Sequence, residues 1–401
     1  MLAASWAMAS LMGLNRLTGR ARIQVARPDL LTCLNALIDF IPLVVLTSAL
    51  GIIMYSCRSV SLNPDSNMSD VRVDGLVRWA RITDPDIPPD ATLKPVSDDA
   101  SFRRYFRFTG TDMPHVYVDA PPSHEDNESF IRISAALAGA GLCCPVVDAA
   151  DVSLGYMKIS DLGDRLYLDE IIATPTAIPA LYRDAVEALL VMQRVTCDTP
   201  VYDREKLQQE MNLFHEWLLP RQLGFDLSDA DMQMLQSVYD YLLESALIQP
   251  QVFVHRDYHC RNLMVVADNG PGILDFQDAV VGPVSYDLVS LYKDCYYRFP
   301  REQVVAAVDH FHRRLIEAGR IAADAPLLEW FDLMGAQRHL KCAGIFSRLH
   351  LRDGKPGYLA DIPLVIDYLL EVATLYPRLE TFGNWLQEVV RPRLAKPEYQ
   401  R

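Results

Sequence analysis

The chain has 401 residues, half of them hydrophobic, and a formal charge of −14 at pH 7. That length allows two or three domains and a sizeable core, and the acidic balance excludes a basic nucleic-acid footprint, so no nucleic acid is expected as a partner. Eight cysteines are scattered without a C-x-x-C pair, which reads as reduced thiols of a cytoplasmic protein rather than a disulfide framework or zinc site.

Residues 1–67 differ from the rest. Arg16, Arg20, Arg22 and Arg27 precede the uncharged run 40–57, FIPLVVLTSALGIIMYSC. That run is about the minimum for a membrane-spanning helix and lies too far in for an ordinary secretory signal. Arginines ahead of it would keep the N-terminus in the cytoplasm and send the remainder outward. Three readings stay open: an inverted orientation, a buried or peripheral helix, or a start placed too early, with the compact domain beginning at Met68. The last is preferred.

Beyond Met68 the pattern is that of a compact soluble domain. Val73, Leu76, Val77 and Ala80 set a helical stripe over 71–82, stopped by Pro85, Pro88 and Pro89. Residues 93–108 read as a strand, a polar turn at 97–101 and a second strand from Phe102. The turn residues are small, so their backbone N–H groups can approach an anion. A strand over 115–120 precedes a helix over 123–137, with Glu125 and Glu128 in its first turn. Both suit the helix dipole and are placed to orient an arginine of the hairpin. Short strands at 145–150 and 156–159 lead to a turn at 160–164. Helical patterns follow over 179–195, 203–219 and 229–246, the last capped by Ser228 with Asp231. Later helices cover 288–297, opened by Asp287, then 302–318 and 327–351. The last carries Arg338, His339, Lys341, Arg348 and His350 into a Gly/Pro loop. That is either a solvated face or a place for a polar or anionic ligand.

Residues 252–278 interrupt this helical part. Apolar runs at 252–254, 263–266 and 272–274, bounded by turn residues, read as buried strands. The chain presents His255, Asp257 and Asn262 after the first run, and Asp275 after the third. Phosphoryl transfer needs a carboxylate near the attacking hydroxyl and hard oxygen ligands for Mg²⁺. Asp257, with His255 beside it, fits the catalytic role. Asn262 and Asp275, brought together from opposite strands of a hairpin, fit the metal role. Cys260 reads as a tolerated small residue.

This H-x-D-x-x-x-x-N loop, with Asp275-Phe276-Gln277 following, resembles the catalytic core of the protein-kinase-like fold, in the form found in aminoglycoside phosphotransferases. The resemblance implies an α+β fold of two lobes: a small, mostly antiparallel β lobe over 68–160 and a larger helical lobe over 161–401. It implies that the 93–108 hairpin covers the phosphates of ATP. It also makes the turn at 160–164, with Asp161, the hinge beside the adenine, and Asp287 a brace for the catalytic loop. The phosphate-pairing lysine of protein kinases is missing from 115–120, where Asp119 stands. Arg103 and Arg104, with Ser101 of the turn, are then the candidates to meet the phosphates.

A narrower resemblance runs through SDDASFRRYFRF, VYVDAPP, SDLGDRLYL, VFVHRDYHCRNLM, ILDFQDAVVGPVSYDLVSLYKDCY and QRHLKCAGIFSRLHLRDGKPGYL. In order, these resemble the bacterial N-acetylmuramate/N-acetylglucosamine anomeric kinases over about residues 70–400. That implies ATP-dependent phosphorylation of the C1 hydroxyl of an amino sugar in peptidoglycan recycling, with Mg²⁺ as cofactor. Alternatives are another small-molecule kinase, acting on an aminoglycoside, choline or a different sugar, and a nucleotide-binding module without catalysis. Intact Asp257, Asn262 and Asp275 speak against the latter. Membrane contact follows only if 40–57 is an anchor.

Overall fold

Five short strands pair antiparallel in the order β1-β2-β3-β5-β4. They are β1 (Leu93–Pro95), β2 (Arg104–Phe108), β3 (His115–Asp119), β4 (Val147–Asp151) and β5 (Tyr156–Ser160). The computed structural model describes residues 68–96, 102–110, 113–267 and 270–400. The readings for 1–67, including the run at 40–57, and for the turn 97–101 with Ser101 lie outside the described residues. Residues 65–401 form one compact unit. Among the described residues no helix is long and apolar enough to cross a membrane.

Strand alternation decides what each face of this sheet covers. Tyr117 of β3 joins a small cluster with Leu76, Ala80, Phe106, Phe108 and Tyr156. Its neighbours Val116 and Val118 belong to the main core. The small cluster exists because α1 (Met68–Thr83) lays Leu76 and Ala80 on that face. Arg72 of α1 and Arg104 of β2 both bond the wholly buried carboxylate of Asp119. On the other side lies α2 (Asn127–Gly139), where Phe130, Ile133 and Leu137 enter the main core.

The helical part follows with α3 (Tyr167–Ala173), α4 (Ile178–Met192), α5 (Arg204–Leu213) and α6 (Asp229–Leu247). Two small ladders come next. Strand β6 (Gln251–Val254) pairs with β9 (Val280–Pro283), and β7 (Leu263–Val265) pairs with β8 (Pro271–Ile273). The chain then forms α7 (Tyr286–Tyr292), α8 (Arg301–Glu317), α9 (Leu327–Asp353), α10 (Ile362–Leu375) and α11 (Glu380–Trp385).

Several boundaries differ from the sequence reading. The helix expected over 123–137 begins at Asn127, because the Asp126 side chain accepts the Ser129 N–H and caps it there. Glu125 therefore precedes the helix, and Glu128 alone of the two glutamates lies in its first turn. The helix expected over 203–219 turns into a π-helix, Phe214–Gln222, which contains Pro220. Proline lacks the N–H that an α-register would use. The helix expected over 288–297 runs from Tyr286 to Tyr292. It stops because Asp294 accepts the N–H groups of Tyr296 and Tyr297 and turns the chain. Strand β9 was not expected, and it forms because its partner edge on β6 is there to be paired.

Candidate active site

The loop between β6 and β7 is held from behind. Asp287, fully buried in the first turn of α7, accepts the N–H of His255 at 2.7 Å and of Arg256 at 3.0 Å. The Asp257 N–H donates to His255 Nδ1 at 3.3 Å. An amide can only donate, so Nδ1 is the acceptor and Nε2 carries the ring proton, which it gives to the Leu274 carbonyl at 2.8 Å. His255 thus ties the loop to the end of β8. It is wholly buried and is not on the cavity wall. Arg256 and Asp275 sit at φ +78° and +61°, a left-handed conformation costly for residues with side chains and typical of functional loops.

That backbone leaves the Asp257 side chain about 40% exposed, on the wall of a cavity of about 650 Å³. Asn262 Nδ2 donates to the Asp257 carbonyl at 3.0 Å and to Asp275 Oδ2 at 3.3 Å. Strands β7 and β8 pair Leu263 with Ile273, which is how residues thirteen positions apart meet. Gln277 Nε2 steadies the other oxygen of Asp275 at 2.8 Å.

The two aspartates have opposite electrostatics. Burial pushes Asp257 up, but the charges of Lys341 and Arg338 outweigh it and hold its carboxyl well below the usual range. Arg338 Nη2 lies 3.5 Å from Asp257 Oδ1. Asp275 is pushed up to about 6, first by burial and then by the negative charge of Asp257. Asp275 and Asn262 offer one carboxylate and one amide oxygen, a set that suits Mg²⁺, which keeps waters and takes phosphate oxygens as its other ligands. Among the described residues no cluster of three His, Cys, Asp or Glu side chains forms a closed metal site. Asp287 is likewise pushed up to about 6 by burial, against the pull of His255 and the two N–H bonds.

Neighbouring Arg103 and Arg104 part company. Arg103 is buried on the cavity wall, 3.0 Å from Glu125 Oε2, with its guanidinium 4.7 Å from the centre of the Phe130 ring. Arg104 is committed to Asp119 and is not on that wall. Asp161 lines the cavity with its carboxylate gripped by Arg107 and by the Gly163 N–H at 2.8 Å. Burial pushes Asp161 up, yet these partners leave it below its ordinary value. Cys260 is buried and its thiol donates to Asp294 Oδ2 at 3.0 Å, a packing role.

Other wall residues were not singled out from sequence: His259, Arg261, Tyr296 and Tyr358. The first two stand in the same loop, so the motif itself was a signal. Tyr296 and Tyr358 stood in segments that carried the resemblance, Tyr358 in the Gly/Pro loop beside the cationic helix, but neither ring was picked out, since later turns bring them in. Arg338 and Lys341 were noted as charges on a helix, either a solvated face or a place for a polar or anionic ligand, and not as partners of Asp257. Their spacing of three puts them on one face, and the fold turns that face to Asp257.

The pattern of the phosphotransferase enzyme family matches residues 92–325, and the chain belongs to that family. Within it, the chain is similar to the N-acetylmuramate/N-acetylglucosamine kinase of Pseudomonas aeruginosa, 44% identical over 307 residues covering 75% of this chain and 89% of that one. The kinase of the same name from Neisseria meningitidis is 38% identical over 322 residues, covering 79% and 95%. Among solved structures, the GDP complex of wild-type aminoglycoside 2'-phosphotransferase-IIIa shares the fold, with a TM-score of 0.52 at 12% identity over 75% of this chain and 98% of that one.

Proposed function

We propose that the protein transfers the γ-phosphoryl group of ATP to the C1 hydroxyl of N-acetylmuramate and of N-acetylglucosamine. The observation that carries this is the 44% identity over 307 residues to a kinase of that name. In this reading the β part over 68–160 and the helical part over 161–401 are the two lobes. Arg103, braced by Glu125, meets the phosphates where a lysine would serve in protein kinases. The Asp161 turn borders the base, and Ser101 belongs to the turn over the phosphates. Asp257 receives the proton of the attacking hydroxyl as the bond from the C1 oxygen to the γ-phosphorus forms and the bond from that phosphorus to the β–γ bridging oxygen breaks, releasing ADP, and an anomeric hydroxyl is acidic enough for weak base assistance. His255 positions Asp257 by accepting the Asp257 backbone N–H at its Nδ1. Asn262 and Asp275 would hold Mg²⁺, which would neutralise phosphate charge when bound. Positioning and charge neutralisation supply most of the rate. The need for ATP places the reaction in the cytoplasm.

The test is to add Mg-ATP and either sugar to the full chain and look for an anomeric phosphate by phosphorus–proton coupling. Transfer to neither sugar overturns the substrate, and turnover that survives chelation removes the metal role. Asp257→Asn is expected to lower kcat by about 10²–10⁴-fold with nucleotide affinity kept. Near-normal turnover would take Asp257 out of the mechanism.

A further inference from the structure

We propose that Glu210, a carboxylate outside the cavity, is a positioning residue for the transfer step: it clamps the Arg256 guanidinium and so holds the backbone that aims Asp257. This rests on the functional reading above, in which Asp257 takes the proton of the attacking hydroxyl. Arg256 stands directly between His255 and Asp257, with φ at +78°. A residue with a side chain keeps a left-handed backbone only where its surroundings over-determine it. Helix α7 ties the peptide groups of Arg256: Asp287 accepts its N–H at 3.0 Å, and the Ser290 hydroxyl lies 3.2 Å from its carbonyl. The side chain is tied elsewhere, since Nη1 reaches the Asp278 carbonyl at 3.3 Å and Nη2 donates to Glu210 Oε1 on α5.

The Arg256–Glu210 pair is shut away from water, with the two side chains 15% and 8% exposed. The other carboxylate oxygen, Oε2, accepts the Tyr202 hydroxyl and lies 3.5 Å from Lys341 Nζ on α9. Lys341 donates in turn to the Tyr286 hydroxyl at 3.2 Å, and the rings of Tyr202 and Tyr286 meet edge to face at 5.4 Å. Both oxygens of Glu210 are therefore engaged, and the carboxylate stays where Arg256 needs it. Burial pushes Glu210 up, but the charges of Lys341 and Arg256 outweigh it and leave the carboxyl below its ordinary value. A buried, charged pair of this kind is costly to break from one side. Neither Glu210 nor Arg256 is on the cavity wall. Releasing the clamp lets Asp257 drift without removing a contact to nucleotide or sugar, so the transfer step suffers and binding does not.

The experiment measures kcat, and KM for ATP and for either sugar, in the full-length wild type, Glu210→Gln, Arg256→Met and the double variant. Folded molecules are counted by the stoichiometry of ADP binding, so that a loss of stability is not read as a loss of kcat. Glu210→Gln is expected to lower kcat roughly 10–100-fold, with each KM held within about twofold. Arg256→Met is expected to do the same. The double variant should be slower than Arg256→Met by less than about threefold, because the two residues act as one unit. It loses one charge of each sign, so the net charge buried there is unchanged. If Glu210→Gln alone fails to fold, that comparison with Arg256→Met decides. A near-normal kcat in Glu210→Gln, a rise in KM as large as the fall in kcat, or losses that multiply in the double variant overturns the assignment while leaving the kinase reading intact. A wild type that phosphorylates neither sugar overturns both.

Discussion

His339 sits wholly buried in α9, its ring stacked on Tyr368 at 4.7 Å and its Nε2 bonded to the Lys293 carbonyl at 2.9 Å. Burial pushes it down to about 3, from an ordinary value of 6.5. Between those values the unfolded chain binds a proton that the folded chain refuses, so stability falls as pH drops below 6.5, by about 1.4 kcal/mol per pH unit for one such group. Denaturant unfolding at pH 7.5 and 5.5 should show wild type losing more stability than His339→Gln by about that amount. Equal losses would mean that His339 titrates normally in the fold. The same scale separates Arg103 from Arg104. Both were candidates for the phosphates, and nothing in RR tells which faces the cavity. Pairing β2 with β3 sets Arg104 opposite Asp119, and the neighbouring guanidinium goes to Glu125.

At the scale of elements, α9 carries the cations that face Asp257 and Glu210 and must lie close to α5. Gly344 permits that approach: a Cβ there would stand 2.3 Å from the Leu213 carbonyl carbon and 2.5 Å from Leu213 Cβ. Leu213 is the last residue of α5 before the π-helix, so this backbone has no side-chain torsion with which to yield. Gly344→Ala is expected to destabilise by about 1–3 kcal/mol through overpacking, despite the gain of up to about 1 kcal/mol that alanine brings to a helix. An unchanged unfolding midpoint would show that the helices can separate freely. Because Arg338 and Lys341 ride on α9, turnover should fall as well. The existence of this helix was legible from its apolar periodicity. Its buried charged face was not, since a stripe of Arg, His and Lys reads equally well as solvated until Asp257 and Glu210 are seen to meet it.

At the scale of the whole molecule, the sheet is covered on one side by α1 and on the other by the main core. A chain beginning at Met68 should keep the fold and turnover of the full chain. A chain beginning at Thr92 loses Leu76 and Ala80 from the small cluster and removes Arg72 from the buried Asp119. Exposing that cluster and breaking half of a buried ion-pair set is expected to cost several kcal/mol. Thermal unfolding and turnover of the two chains check this. A chain from Thr92 as stable as one from Met68 would make α1 an ornament of the fold.

The sequence by itself determined which side chains meet in the loop between β6 and the end of β8. The order His255, Asp257, Asn262 and Asp275 on short apolar runs is local information, and strand pairing can bring it together in few ways. The same holds for the order of strands before helices, which follows from hydrophobic period. What the tertiary structure decided is everything that depends on contact between distant segments: Arg338 against Asp257, Asp287 under the loop, Arg103 rather than Arg104 on the wall, Tyr296 beside Arg261. Such contacts cost no recognisable residue pattern, because a charge or a ring is chosen by the partner it meets, and the partner is set by packing over the whole chain.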